Sequence, residues 1–376
     1  MAERLLIASF SAGAGHVRAA EALKHAFEQA GHDGVAESVD TLRYLPRLAR
    51  GPGLRAYYAL VDRLQFAWRL IYDRANQRPA DGPARRLNCL AERTLGRRFL
   101  RDIRDDPPNH IVCTHFAPAG PLAWMRRTGR LDAPLAVTIT DYDDHRMWIN
   151  PGADHYFVAA DYLRERLIGK GAPPDRVSAP GIPIDPVFSR PMTRDEARSE
   201  LDLDADRPTV LAAGGGRGLG PLEATVDALA RCGDLQILAV AGHNDAVRQK
   251  LDALDLPRAV RLVTYGYVDF MEKLMAAADL AVMKPGGMSS SECLAVGLPM
   301  VLTEPIPGQE EANFEFLVGC GAALPATDLA ELQQTVTELL GDRERLRRMS
   351  AAARRAGRPH AAHDIIEAVL AMEPAR

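Results

Sequence analysis

The chain has 376 residues, 47% of them apolar and 26% charged, a globular balance with material for about two domains of roughly 150–200 residues. That composition excludes disordered, collagen-like and disulfide-scaffold classes, and 46 Lys plus Arg against 50 Asp plus Glu, a net charge of −4, carries no nucleic-acid signature. The charge is unevenly spread: residues 1–188 hold 26 basic and 22 acidic side chains, residues 189–376 hold 20 and 28, and the stretch 43–104 alone holds 15 and 5. Cys89, Cys113, Cys232, Cys293 and Cys320 are scattered and form no CxxC pair, so they read as small core residues in a reducing compartment. Glu3 and Arg4 precede a short apolar run that soon turns to glycine, unlike a signal peptide. No stretch approaches the roughly eighteen apolar residues of a membrane span, and the expected location is cytoplasmic.

From the N-terminus, short apolar runs alternate with longer helical patterns, which predicts parallel α/β architecture. Strands are expected at 4–10, 35–40, 110–115, 135–140 and 156–160, with a long helix from about 17 to 30. A proline-rich, charged stretch near 186–207 reads as a linker. Further strands are expected at 209–214, 235–241, 261–265, 280–284 and 300–304, and an arginine-rich helical tail from about 342 breaks at Gly357 to Pro359. Each set of strands makes one doubly wound, Rossmann-like domain, 1–187 and 188–357, with a last helix near 358–376 packing back on the first. Two such domains facing a central cleft place ligands at the carboxyl ends of both sheets.

Residues 41–108 break the alternation, since they hold no convincing strand. Leu54, Tyr57, Tyr58, Val61, Leu64, Trp68, Ile71 and Tyr72 recur at helical spacing, with Arg55, Arg63, Arg69 and Arg74 among them. An aromatic and arginine-bearing helix of this kind suits the interface of an anionic bilayer. The alternative is a core helix with a solvated basic face.

Three groups of residues carry chemistry. Ser11 to His16 follows the first strand and opens a helix, where glycines, Gly15 among them, admit a ligand and His16 is placed to act as a base. Arg18 replaces the third glycine of a dinucleotide fingerprint, although Asp40 ends the next strand. Next, Thr138 to Trp148 ends an apolar strand. Asp141-x-Asp143 reads either as a metal-binding acidic pair or, more economically, as Asp141 activating a hydroxyl while His145 and Trp148 line an acceptor pocket. In the second half, Gly215 and Gly216 form a strand–helix turn able to touch phosphate. Lys284-Pro285-Gly286-Gly287 leads into Ser289, Ser290, Ser291 and Glu292, with the serines expected to cap the helix. A helix start there binds a diphosphate, and Glu292 one turn inside accepts two ribose hydroxyls. Gln309, Glu310 and Asn313 cluster beside the same sheet end, where polar side chains read a sugar.

Together, Gly266-Tyr267-Val268, Lys284-Pro285-Gly286-Gly287, Glu292, Gly297-Leu298-Pro299 and Pro307-Gly308-Gln309-Glu310-x-x-Asn313 resemble the donor half of MurG-like GT-B glycosyltransferases. Ser11-x-x-x-Gly15-His16-x-x-Ala19-Ala20 and Thr140-Asp141-Tyr142-x-x-His145-x-x-Trp148 resemble the monogalactosyldiacylglycerol synthase and processive diacylglycerol glucosyltransferase branch. The resemblance, over roughly 1–340, implies an inverting transferase with no metal and no cofactor. It would move a hexose or N-acetylhexosamine from a UDP-sugar to a membrane lipid such as diacylglycerol. It implies base contacts from Gly266, Tyr267 and Val268, diphosphate contacts from Gly215, Gly216, Gly286, Gly287 and Ser289, a ribose contact from Glu292, and sugar contacts from Gln309, Glu310 and Asn313. His16 or Asp141 supplies the base, and the arginine-bearing helix (Arg55, Tyr57, Tyr58, Arg63, Trp68, Arg69) anchors the chain to the anionic inner face of the cell membrane. A polyprenyl-linked or lipopolysaccharide acceptor, or a UDP-sugar 2-epimerase with the same fold, are the alternatives.

Overall fold

Strands buried on both faces need uninterrupted apolar runs, and the runs of this chain supply them. In the computed structural model, His110–Cys113, Leu135–Thr138, Leu235–Val240 and Leu280–Met283 are buried along their whole length. The structure describes residues 3–11, 13–46, 50–51, 53, 65–77, 90–190, 192–215, 221–303, 305–308 and 310–374. The chain divides into one unit of Met1–Pro186, Ile306–Ala312 and His360–Arg376, and another of Val187–Pro305 and Asn313–Pro359.

The first unit runs β1 (Glu3–Ser9), α1 (Ala14–Gln29), β2 (Gly34–Asp40), α2 (Gln65–Gln77), α3 (Arg97–Asp105), β3 (His110–Cys113), α4 (Phe116–Arg127), β4 (Leu135–Thr138), β5 (His155–Phe157), α5 (Asp161–Gly169) and β6 (Val177–Ser178). Among the described residues its strands make a parallel six-stranded sheet in the order β2-β1-β3-β4-β5-β6. Helix α1 buries Ala19, Ala20, Leu23 and Phe27 at three- and four-residue spacing, which turns one face to the sheet.

The second unit runs α6 (Arg194–Glu200), β7 (Thr209–Ala213), α7 (Leu222–Leu229), β8 (Leu235–Val240), α8 (Asp245–Asp252), β9 (Val260–Tyr265), α9 (Met271–Ala277), β10 (Leu280–Met283), α10 (Gly287–Val296), β11 (Met300–Leu302), α11 (Glu311–Gly319, whose first two residues belong to the first unit), β12 (Ala323–Pro325), α12 (Leu329–Gly341) and α13 (Arg343–Ala356). Its described strands form a second parallel six-stranded sheet, β12-β11-β10-β7-β8-β9. Val210, Leu229, Ile237, Leu280, Val301, Leu332 and Val336 meet in its core. Helix α10 ends at Gly297, whose φ of +76° closes the turn and where a Cβ would strike the Arg354 side chain at 2.7 Å.

The last helix, α14 (Ala361–Leu370), belongs to the first unit. Ile365, Ile366 and Val369 pack with Leu23 and Phe27 of α1, each burial worth about 1.5–3 kcal/mol. His32 of α1's trailing turn meets Glu367 at 3.0 Å, and His110 Nε2 donates to the Met372 carbonyl at 3.1 Å.

Two features depart from the sequence reading. The edge strands β6 and β12 were not expected, because two or three residues are too few to show a strand period. The stretch near 186–207 is also more than a linker. Thr193 opens α6 with a reciprocal capping box to Glu196, and Arg198 donates to the Asp279 carboxylate at 2.7 Å and to the Ala277 carbonyl at 2.9 Å. Those bonds fasten α6 into the second unit.

Candidate active site

In a doubly wound sheet, ligands sit where the strand order reverses, beyond the carboxyl ends. In the first unit that point lies between β1 and β3, and the turns after both strands meet there. Helix α1 begins at Ala14, so Gly15 and His16 lie in its first turn and not in a preceding loop. Thr114, just past β3, grips His16 twice: its carbonyl lies 3.1 Å from Nδ1, and its hydroxyl donates to the His16 carbonyl at 2.8 Å. Thr140, past β4, places Oγ1 at 2.7 Å from the same Nδ1. A carbonyl can only accept, so Nδ1 carries the proton and Nε2 holds the lone pair. Among the described residues nothing hydrogen-bonds to Nε2. Burial lowers the His16 pKa to about 4, which keeps the ring neutral, with the Nε2 lone pair unprotonated, at physiological pH.

His115 packs edge-on to His16 at 4.5 Å, and Trp148 lies 6.2 Å away between ring centres. His115 Nδ1 accepts the Ala117 N–H at 3.0 Å and caps α4, so this ring is neutral as well, and burial with the nearby His16 pushes its pKa well down. Both histidines therefore titrate below the ordinary 6.5. As pH falls the unfolded chain protonates first, so stability present above about pH 6.5 is lost on the way to about pH 4. His115→Asn keeps a capping oxygen and removes one titration. Its urea midpoint should fall less between pH 7 and pH 4.5 than that of the parent, and an equal fall would contradict this reading.

The loop after β4 is held from two sides. Asp144 pairs with Lys170 at 2.8 Å and Arg166 at 3.1 Å, while Asp143 accepts the Tyr72 hydroxyl. Both carboxylates are buried. The expected acceptor-lining role of His145 is corrected: it is 1% exposed, its Nδ1 accepts the Met147 N–H at 3.1 Å, and its Nε2 donates to the Tyr72 carbonyl at 3.0 Å. This ring locks the loop and has no nitrogen left for substrate. Asp141 is half-buried just upstream, and the Trp148 ring centre lies 6.2 Å from that of His16. Asp40 serves structure, since its carboxylate accepts from Ser11 N at 3.1 Å, Ser11 Oγ at 2.8 Å and Leu42 N at 3.1 Å. That spends the acid a dinucleotide site would turn to ribose.

Of the residues expected at a membrane, Arg55, Tyr57, Tyr58 and Arg63 lie outside the described residues, as does the Trp68 side chain. Arg69 is corrected in part: it pairs with Glu311 at 3.2 Å, so its charge is engaged by the 306–312 turn. The Arg74 side chain is exposed. Phe66, 83% exposed, and Leu70, 41% exposed, sit one turn apart on the same helix.

In the second unit the order reverses between β7 and β10, and the two glycine turns leave from those strands. Gly215 takes φ +71°; Gly216 lies outside the described residues. Gly286 is the N-cap of α10 and Gly287 its first residue. The serines do not cap it, which corrects that expectation: Ser291 Oγ donates back to the Gly287 carbonyl at 2.8 Å, and the buried Ser290 hydroxyl has no hydrogen-bond partner among the described residues. With no side chain on them, the first N–H groups of α10 stay open to an anion. Glu292 lies on this helix, 1% exposed. Asn313, expected to read a sugar, has Nδ2 donating to the Pro285 carbonyl at 3.0 Å, a bond that ties it to the glycine loop. Past β9, Tyr267 is 58% exposed and stacks on His243 at 4.3 Å with an interplanar angle of 9°, beside Gly266 and Val268. Glu310 Oε2 accepts the Ile306 N–H at 2.9 Å and closes its own turn, which belongs to the first unit. Gln309 lies outside the described residues.

The sequence analysis missed Thr114, His115 and Tyr72 as parts of the site. Thr114 and His115 directly follow β3, the strand next to β1, and the switch-point rule that selects His16 selects them too once strand order is known.

Residues 194–356 match the family model of group 1 glycosyl transferases, and the two units with their parallel six-stranded sheets have the GT-B fold. Residues 16–184 match the monogalactosyldiacylglycerol (MGDG) synthase family model, so the two matches together span most of the chain. A processive diacylglycerol beta-glucosyltransferase of Bacillus subtilis (strain 168) is 29% identical over 361 residues, covering 92% of this chain and 89% of the relative. Acinetobacter baumannii MurG shares the fold with a TM-score of 0.64 at 17% identity, over 98% of this chain and 100% of that one. A Neisseria meningitidis UDP-GlcNAc 2-epimerase bound to UDP-GlcNAc also shares it, with a TM-score of 0.58 at 12% identity over 98% and 99% of the two chains.

Proposed function

We propose that this protein transfers a hexose or N-acetylhexosamine from a UDP-sugar to a membrane lipid hydroxyl, such as that of diacylglycerol, with inversion and without a metal. The observation that carries the reading is His16, a neutral imidazole whose Nδ1 proton is fixed by Thr114 and Thr140 at the first unit's switch point. Its Nε2 takes the acceptor proton as the hydroxyl oxygen forms the new bond to the anomeric carbon. The bond from that carbon to the diphosphate breaks, and its electron pair leaves with UDP. Asp141 orients the hydroxyl. The open N–H groups of α10 stabilise the leaving diphosphate, Glu292 holds the ribose, and Tyr267 with Val268 flanks the base. Asp143 and Asp144 are spent on Tyr72, Lys170 and Arg166, which argues against an Asp141-x-Asp143 metal site.

Among the described residues no helix is long and apolar enough to cross a membrane, and we place the protein peripherally on the anionic cytoplasmic face, seated through α2. The match to MGDG synthase and to a diacylglycerol glucosyltransferase favours transfer over the epimerase chemistry of a fold neighbour. Incubation with labelled UDP-glucose, UDP-galactose and UDP-N-acetylglucosamine plus a membrane lipid extract should give one labelled glycolipid, undiminished by EDTA. Recovery of only an epimerised UDP-sugar, or abolition by EDTA, would overturn the assignment.

A further inference from the structure

We propose that Tyr72 is a positioning residue that couples helix α2, seated on a lipid surface, to the acceptor loop 141–148. The inference rests on the lipid-acceptor reading above and adds to it the element that senses the lipid. Helix α2 has two unlike sides. Tyr72 and Asn76, one turn apart, face the loop: the Tyr72 hydroxyl donates to Asp143, the Tyr72 carbonyl accepts from His145 Nε2 at 3.0 Å, and Asn76 Oδ1 accepts from Arg146 N and Lys170 Nζ, each at 3.1 Å. The Tyr72 ring also lies 4.2 Å from that of His145.

At about 100° per residue, Phe66 and Leu70 project from the other side of the helix. Both are exposed apolar side chains, and the exposed Arg74 follows Leu70 by one turn, a pairing suited to the headgroup layer of an anionic bilayer. Among the described residues, these bonds tie α2 to the loop through residues 72 and 76, so whatever orders α2 also orders Asp141, two residues from Asp143. A lipid surface that seats Phe66 and Leu70 thereby sets the acceptor loop.

The test uses the full chain with vesicles of phosphatidylglycerol and diacylglycerol. Tyr72→Phe should lower kcat by about tenfold to a hundredfold, the loss expected of one hydrogen bond to a charged group. The KM for the UDP-sugar and vesicle co-sedimentation should stay within about twofold of the parent. Asp143→Ala should match Tyr72→Phe, whereas Asp143→Asn, which still accepts the hydroxyl, should keep most of the activity. Independently of any reaction, vesicles should slow amide hydrogen exchange across 141–148 in the parent and not in Tyr72→Phe. A kcat within about twofold of the parent, or equal slowing of exchange in both proteins, would overturn the proposal. Absence of sugar transfer by the parent would overturn the functional reading alone and leave the exchange result to decide the coupling.

Discussion

His16→Ala should reduce kcat by about a thousandfold or more, within the range a positioned general base contributes, while UDP binds as tightly as to the parent. The structure separates these outcomes. Among the described residues, the groups that hold the His16 ring come from the first unit: the Thr114 carbonyl, the Thr140 hydroxyl, and the neighbouring rings of His115 and Trp148. The glycine turn and Glu292 lie in the second. Loss of the ring removes the lone pair at Nε2 without touching the nucleotide's partners. Calorimetric titration with UDP beside steady-state transfer rates checks both halves. A variant that retains a tenth or more of the parent kcat would shift the base role to Asp141.

The second large effect is on donor binding. Glu292→Ala should weaken UDP by about a hundredfold or more, because two hydrogen bonds from ribose hydroxyls to a buried carboxylate are each worth about 1.5–3 kcal/mol. The carboxylate sits on α10, almost wholly out of water. The discriminating ligand is 2′,3′-dideoxy-UDP. The parent should bind it about as weakly as the variant binds UDP, and the variant should bind both alike. If the variant still prefers UDP strongly over the dideoxy compound, the ribose is held elsewhere.

Much of this organisation was legible from periodicity alone. Apolar runs of four to seven residues fall where β1, β3, β4, β7, β8 and β10 form, because a parallel sheet covered on both faces tolerates no polar alternation. His16, Asp141 and the Lys284 to Glu292 run stand out for a related reason: each follows such a run and opens a turn. Strand order was not legible, and with it the meeting of Thr114 with His16 across 98 residues. Side-chain commitments were equally hidden. His145 looked available for an acceptor until both nitrogens proved to hold backbone groups, and the serines of α10 looked like caps until Ser291 turned back on Gly287. In each case the sequence shows the donor or acceptor, and only the fold shows what it meets.

The proposed transfer requires a sugar nucleotide held at the second unit's switch point. A crystal structure with UDP tests that directly. It should show the diphosphate on the N–H groups of Gly287 and its successors, and both ribose hydroxyls on the Glu292 carboxylate. Density for UDP away from α10, with Glu292 untouched, would contradict it.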